Sequence, residues 1–141
     1  MSRTLAAMID PRQRTRGVSR DGRTDYRMAR RATLREYREG MRNRDDVCDA
    51  HPDLVRAGEH IGDRAGSPCP VCDDPASLAH VTYGFYGRGP TRSSGRALPR
   101  ASLVGLSKRY GDVAVYTVEV CRTCRWHHLL ESYWVTRKRA V

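Results

Sequence analysis

The 141-residue chain predicts an α+β protein, with helices in its N-terminal half and a small antiparallel sheet in its C-terminal half. Three observations predict it. From Thr24 onward, apolar side chains recur at three- and four-residue steps, the period of an amphipathic helix. Further on, "LAHVTYGFY", "VAVYTVEV" and "LLESYWV" are rich in β-branched and aromatic residues, the composition of strands. Two CxxC pairs, "CPVC" and "CRTC", stand beside those strands. The length is that of one domain with one modest core. With 39% hydrophobic and 30% charged residues, that core is small enough to need a staple.

Residues 1–23 show no lasting period and are dense in Arg and Gly, which predicts a disordered basic arm. Its one apolar run, Leu5 to Ile9, is broken by Asp10 and Pro11 and is too short for a secretory signal. No apolar run approaches a membrane span, so the chain is expected to be soluble. Residues 24–62 form the helical segment. Thr24 is the expected N-cap, Tyr26, Ala29, Thr33, Tyr37 and Met41 form one stripe, and Gly40 and Asn43 are stop signals. On another face Arg27, Arg31, Arg35, Arg38 and Arg42 make a ridge of positive charge on a helix roughly 27 Å long. Pro52 then starts a short helix carrying Leu54, Val55 and Ala57, ending near Gly58 or Gly62.

Residues 63–136 hold the sheet. Leu78 to Tyr86 reads as a strand with Val81, Tyr83 and Phe85 on one face, followed by a basic Gly/Ser/Pro loop over 87–100. Pro99 opens a short helix through Leu103 and Leu106 to Tyr110, stopped by Gly111. Val113 to Val120 and Leu129 to Val135 are the remaining strands, and residues 137–141 are a basic tail.

Each CxxC turn aims two sulfurs at one point while backbone amides inside the turn face the thiolates. Cys69 and Cys72, with Cys121 and Cys124, therefore predict one tetrahedral four-thiolate site, and with flanking strands a zinc-ribbon-like sheet. Such a site is closed to water and substrate, so a Zn2+ there is structural; iron fits the same four thiolates. Disulfides would need an oxidising compartment, and a redox CxxC a thioredoxin-like context, neither of which the chain suggests. His127 and His128 lie three and four residues past Cys124. Neither is needed as a ligand, and on a strand they point to opposite faces, leaving packing or a supporting hydrogen bond to a thiolate. "HHLLE" would put Glu131 beside a metal bound by His127 only in a helix, and Tyr133, Trp134 and Val135 argue for a strand. Cys48 is the odd thiol, set among Asp45, Asp46, Asp49 and Asp53, and reads as a packing residue. Those carboxylates lack the glycine and terminal Glu of a calcium loop and read as helix-start residues.

The combination "VCDAHPDLVRAGEHIG", "CPVC" and "VEVCRTCRWHHLLESY" resembles a small family of uncharacterised actinobacterial proteins, mycobacterial members among them. These carry a Cys-Asp-Ala segment, a CPxC pair and a CRTC-x-W-x-H block. The resemblance implies zinc-ribbon architecture and a cytoplasmic bacterial setting, makes His128 the motif histidine, and includes Cys48. It implies no mechanism.

Charge completes the expectation. Residues 1–44 carry 13 arginines against 5 acids, residues 45–74 carry 2 against 8, and residues 75–141 carry 11 basic groups against 3. A basic–acidic–basic chain of net +10 expects an anionic partner such as nucleic acid, or pairing of the acidic belt with one of its own basic ends. The leading expectation is a non-enzymatic structural-zinc module that docks its Arg ridge on nucleic acid or a nucleic-acid machine such as ribosome or RNA polymerase. Tyr83, Phe85, Tyr116 and Trp134 are candidate base-stacking faces. The alternatives are an adaptor for an acidic protein and, third, a metal enzyme using His127 and Glu131. No small-molecule substrate and no membrane is expected.

Overall fold

The computed structural model describes residues 22–87 and 95–136. Its elements are β1 (Thr24–Asp25), α1 (Arg27–Arg38), α2 (Arg44–Val47), α3 (Pro52–His60), β2 (Asp63–Arg64), β3 (Leu78–Phe85), β4 (Arg96–Leu98), α4 (Leu103–Tyr110), β5 (Val113–Cys121) and β6 (His127–Val135). The strands form one antiparallel sheet in the order β1-β6-β5-β3-β2, and β4 pairs with β3 beyond β2. Most of the predicted arm (1–21), the loop residues 88–94 and the basic tail (137–141) lie outside the described residues.

β5 is the central strand and is covered on both sides: Val113, Val115, Val118 and Val120 have no exposed surface. Alternation sends Val118 and Val120 to one face, where Val81, Tyr83, Tyr116 and Leu129 join them under Leu54 and Ala57 of α3. On the other face, Val113 and Val115 pack with Leu98 and Leu103 beneath α4. The far end of that same face holds Leu34, Val47, Leu78 and Trp126 around the cysteines.

Several expectations change. The helix begins at Arg27, because Thr24 and Asp25 pair with Ser132 and Glu131 of β6 instead of entering it. Asp25 Oδ1 takes the Arg27 amide at 2.9 Å, so the carboxylate does the work expected of Thr24. α1 has 12 residues, about 18 Å. It buries the expected stripe only in part: Tyr26 is buried and Tyr37 partly so, but Ala29 is exposed and Met41 is 71% exposed, while Leu34 is buried and Arg30 partly so. Asn43 starts an element rather than ending one. Its side chain accepts from the Asp46 amide while Asp46 accepts from the Asn43 amide, a capping box for α2. The end of the predicted loop is β4, and the last strand begins at His127.

β6 carries a bulge. Thr117 faces Glu131 and Val118 faces Leu129, which leaves Leu130 as the extra residue. Its carbonyl accepts the Tyr26 amide at 2.8 Å, fixing where the chain turns from β1 into α1.

α3 crosses the sheet closely at Gly58, where an added Cβ would sit 2.8 Å from Val120 Cγ1. Helix propensity alone favours alanine there by about 1 kcal/mol. The clash opposes it, since overpacking a rigid core costs about 1–3 kcal/mol. Gly58→Ala is therefore expected to lower the chemical-denaturation midpoint, and a raised midpoint would show that α3 can lift from β5 without loss.

Candidate metal centre

The sequence folds the two CxxC segments into matching turns at one end of the sheet. In each, the amide of the residue after the second cysteine returns to the first cysteine's carbonyl: Asp73 to Cys69 and Arg125 to Cys121, both at 3.0 Å. Those same two residues, Asp73 (φ 61°) and Arg125 (φ 71°), are the non-glycine residues with positive φ among the described residues. A turn this tight requires the left-handed conformation there. Amides point inward at sulfur: Val71 to Cys69, Cys124 to Cys121 and Trp126 to Cys124, each at 3.4 Å.

The turns face each other. Cys69 Sγ lies 3.7 Å from Cys124 Sγ and Cys72 Sγ lies 3.6 Å from Cys121 Sγ, both contacts running between knuckles. All four sulfurs fall within 4.8 Å of one another, an arrangement able to hold a metal ion. Cys69 and Cys121 are fully buried, and Cys72 and Cys124 half-buried. Burial pushes the Cys69 thiol up to about 11. Burial acts on Cys121 in the same sense, but the Cys124 and Thr123 amides and the neighbouring Cys72 and Cys69 thiols hold it below its ordinary value.

Support comes from two directions that sequence reading did not find. Glu119, 4% exposed, points from β5 toward α1. Its Oε1 accepts from Arg30 Nε at 2.9 Å and from Trp126 Nε1 at 2.8 Å, and its Oε2 lies 3.7 Å from His80 Nε2. Burial raises its carboxyl, but these partners win and hold it below its ordinary value. The available signal was a lone acid in an otherwise apolar strand. The second support is the Cys-Asp-Ala segment, in which three consecutive residues grip the second knuckle. Cys48 Sγ is 3.6 Å from Cys124 Sγ, Asp49 Oδ1 is 3.4 Å from His127 Nδ1, and the Ala50 amide donates to the Arg125 carbonyl at 3.0 Å. The Arg125 guanidinium returns a hydrogen bond to the Ala50 carbonyl at 2.9 Å.

The histidines do point to opposite faces, His127 opposite Val120 and His128 opposite Glu119. His128 stacks on Trp126 at 5.9 Å between centroids and donates from Nδ1 to the Leu129 carbonyl at 2.7 Å, so it adjoins the centre through Trp126. His127 and Glu131 are not brought together. Glu131 lies opposite Thr117, on the other face, about 10 Å along the strand, and faces Arg23 and Arg27 at 3.8 Å. The acidic residues near Cys48 do not converge: Asp46 caps α2, Asp53 pairs with Arg56, and Asp49 faces His127.

The Arg ridge is divided. Arg27 pairs with Asp25 and Glu131, and Arg42, beyond the helix, pairs with Glu36. Arg31, Arg35 and Arg38 are exposed and have no ion-pair partner among the described residues. With Arg30 they line a groove of about 440 Å3 between α1 and Pro70 of the first knuckle. Of the candidate stacking residues, Tyr83 and Tyr116 are buried, Phe85 packs edge-on against Tyr116, and Trp134 is 50% exposed. Among the described residues, no helix is long and apolar enough to cross a membrane.

A twisted antiparallel sheet with two facing cysteine knuckles at one end defines an α+β protein of zinc-ribbon-like form, built round a four-thiol centre. The chain belongs to a family of unknown function, DUF5318, whose pattern matches residues 18–141. It is 39% identical over 109 residues to the uncharacterised proteins Rv0049 of Mycobacterium tuberculosis and Mb0050 of Mycobacterium bovis, covering 77% of this chain and 78% of each relative. No solved structure matches it.

Glu119→Ala is expected to strip a buried indole N–H and a half-buried guanidinium of their acceptor at once. A loss of about 3–5 kcal/mol in unfolding free energy follows from breaking such a pair. A loss below about 1 kcal/mol, the scale of a surface ion pair, would mean that the network does not tie α1 to the knuckle.

Proposed function

We propose that the four cysteines hold a structural Zn2+ and that the protein is a non-enzymatic docking module for nucleic acid in the cytoplasm. The metal half rests on sulfur spacing. A tetrahedral ion about 2.3 Å from each sulfur sets the sulfurs about 3.8 Å apart. The cross-knuckle contacts of 3.6 and 3.7 Å match that spacing. Four thiolates leave no coordination position for water or substrate, so the centre supplies rigidity rather than chemistry. Iron has the same donor set, and metal analysis of the purified protein separates the two.

The docking half rests on Arg31, Arg35 and Arg38, which line one groove and keep their forks unspent. A guanidinium presents two parallel donors to a phosphate, and spacing along a helix lets successive residues follow a backbone. Among the described residues, Asp53 of the acidic belt pairs with Arg56, and no acid of 45–74 lies within ion-pair distance of Arg31, Arg35 or Arg38, which supports an external anion over internal neutralisation.

Cys121→Ser is expected to purify with less than the wild-type metal content and to lose its cooperative melting transition. Chelator treatment of the wild type should do the same, because metal binding and folding share one free energy. Wild-type protein free of metal would end this half of the reading.

For docking, binding of a fluorescent oligonucleotide is followed against salt. Three neutralised phosphates predict a log–log slope near about −2.7 on duplex DNA or about −2.1 on a single strand. Replacing Arg31, Arg35 and Arg38 by Gln should abolish the slope. A flat response in the wild type, together with an acidic protein that stays bound in cell extract after nuclease treatment, would replace nucleic acid by a protein partner.

A further inference from the structure

The centre contains five sulfurs, and a tetrahedral ion uses four. The fifth, Cys48, follows α2 and is held against the second knuckle through Ala50, which exchanges hydrogen bonds with Arg125, while Asp49 Oδ1 lies 3.4 Å from His127 Nδ1. Its Sγ therefore meets Cys124 Sγ at 3.6 Å by construction of the backbone. Both residues are half-buried, whereas Cys69 and Cys121 have no exposed surface. Cys72 is half-buried as well, so a small oxidant reaches Cys124 and Cys72 more readily than the two fully enclosed sulfurs, and of these two it is Cys124 that has beside it the thiol left out of the four-sulfur set.

We propose that Cys48 is the resolving thiol of an oxidation site at Cys124, taking a hydroperoxide as oxidant. The release of metal in this scheme rests on the four-thiolate reading above; the sulfur pair itself does not. The Cys124 thiolate attacks the distal oxygen of the hydroperoxide, the O–O bond breaks, and the alkoxide or hydroxide leaving group takes up a proton, leaving a sulfenic acid on Cys124. Cys48 then attacks that sulfur. An S–S bond forms, the S–O bond breaks, and hydroxide leaves with the Cys48 proton as water. Two sulfurs lose two electrons in total and the hydroperoxide gains them. The centre falls from four thiolates to three, and the two knuckles lose the sulfur that joins Cys69 to the second turn. The oxidised form keeps a covalent tie between the Cys-Asp-Ala segment and that turn, so reduction by a thiol restores a preassembled site.

The spacing alone does not select this pair, since Cys69–Cys124 and Cys72–Cys121 are equally close. Those four are the proposed ligands. Cys48 is the neighbour whose lone pair stays available, and that difference is what the experiment reads.

The full-length protein, its metal content measured, is treated with one equivalent of hydrogen peroxide. Disulfides are mapped by mass spectrometry of non-reduced peptides, and released metal is followed with a chromogenic chelator. The expected result is a Cys48–Cys124 linked peptide as the main product, with metal released in step with it and both reversed by dithiothreitol. Cys48→Ser and Cys48→Ala should purify with full metal and release it several-fold more slowly; circular dichroism checks that both fold. A main disulfide within either CxxC pair or between the knuckles would overturn the proposal, as would release from the variants at the wild-type rate. Variants that purify without metal would also overturn it, by making Cys48 a ligand. If the wild type itself carries no metal, the metal reading fails separately, and the first disulfide formed still decides whether Cys48 and Cys124 are the reacting pair.

Discussion

The constraint on which the rest depends is the closure of two cysteine turns on one another. Cys69 and Cys72 precede β3, while Cys121 closes β5 and Cys124 precedes β6. Joining Cys69 to Cys124 and Cys72 to Cys121 therefore ties the entry of β3 to the hairpin of β5 and β6. The remaining sheet contacts follow from that end: Leu78 opposite Cys121 is the first of an unbroken run of pairs between β3 and β5. A sheet pinned at one end needs less apolar burial at the other. The cluster under α4 is correspondingly small, with four buried residues.

The cysteine end also determines how α1 spends its charge. Arg30 turns inward to Glu119, a carboxylate that also receives the indole of Trp126 beside Cys124. Arg27 and Arg42 are neutralised by Glu131, Asp25 and Glu36. What is left for a partner is the middle of the helix, at Arg31, Arg35 and Arg38. One helix thus divides its arginines between anchoring and presentation. The anchoring one holds the presenting ones at a fixed angle to the first knuckle.

Legibility followed the range of the forces involved. The β-branched runs of β3 and β5, Pro52 at the start of α3 and the two CxxC turns are local signals, and each sits where its pattern puts it. The family resemblance likewise carried over to the Cys-Asp-Ala segment and the CRTC-x-W-x-H block, which turn out to touch residue by residue. The buried side of α1 was legible only in part, at Tyr26 and Tyr37. Its choice of Leu34 and Arg30 over Ala29 and Met41 depends on Trp126 and Glu119, some 90 residues away in the chain. β1 was hidden for the same reason, because two residues pair only where β6 offers an open edge. Cys48 packs as expected, but its contact with Cys124 was invisible because nothing in its own neighbourhood of aspartates points there.

The single extra residue in β6 reaches further than its size suggests. A strand normally reads in one phase, so that residues four apart share a side. Leu130 shifts the phase midway. Before it, His127 and His128 are timed to the cysteine turns; after it, Tyr133 and Val135 are timed to the cluster beneath α4. One strand therefore serves two frames of reference, each correct for its own end of the molecule. Changes in side-chain size can be absorbed at either end separately, whereas gain or loss of one residue at the junction would make one end obey the other's rule.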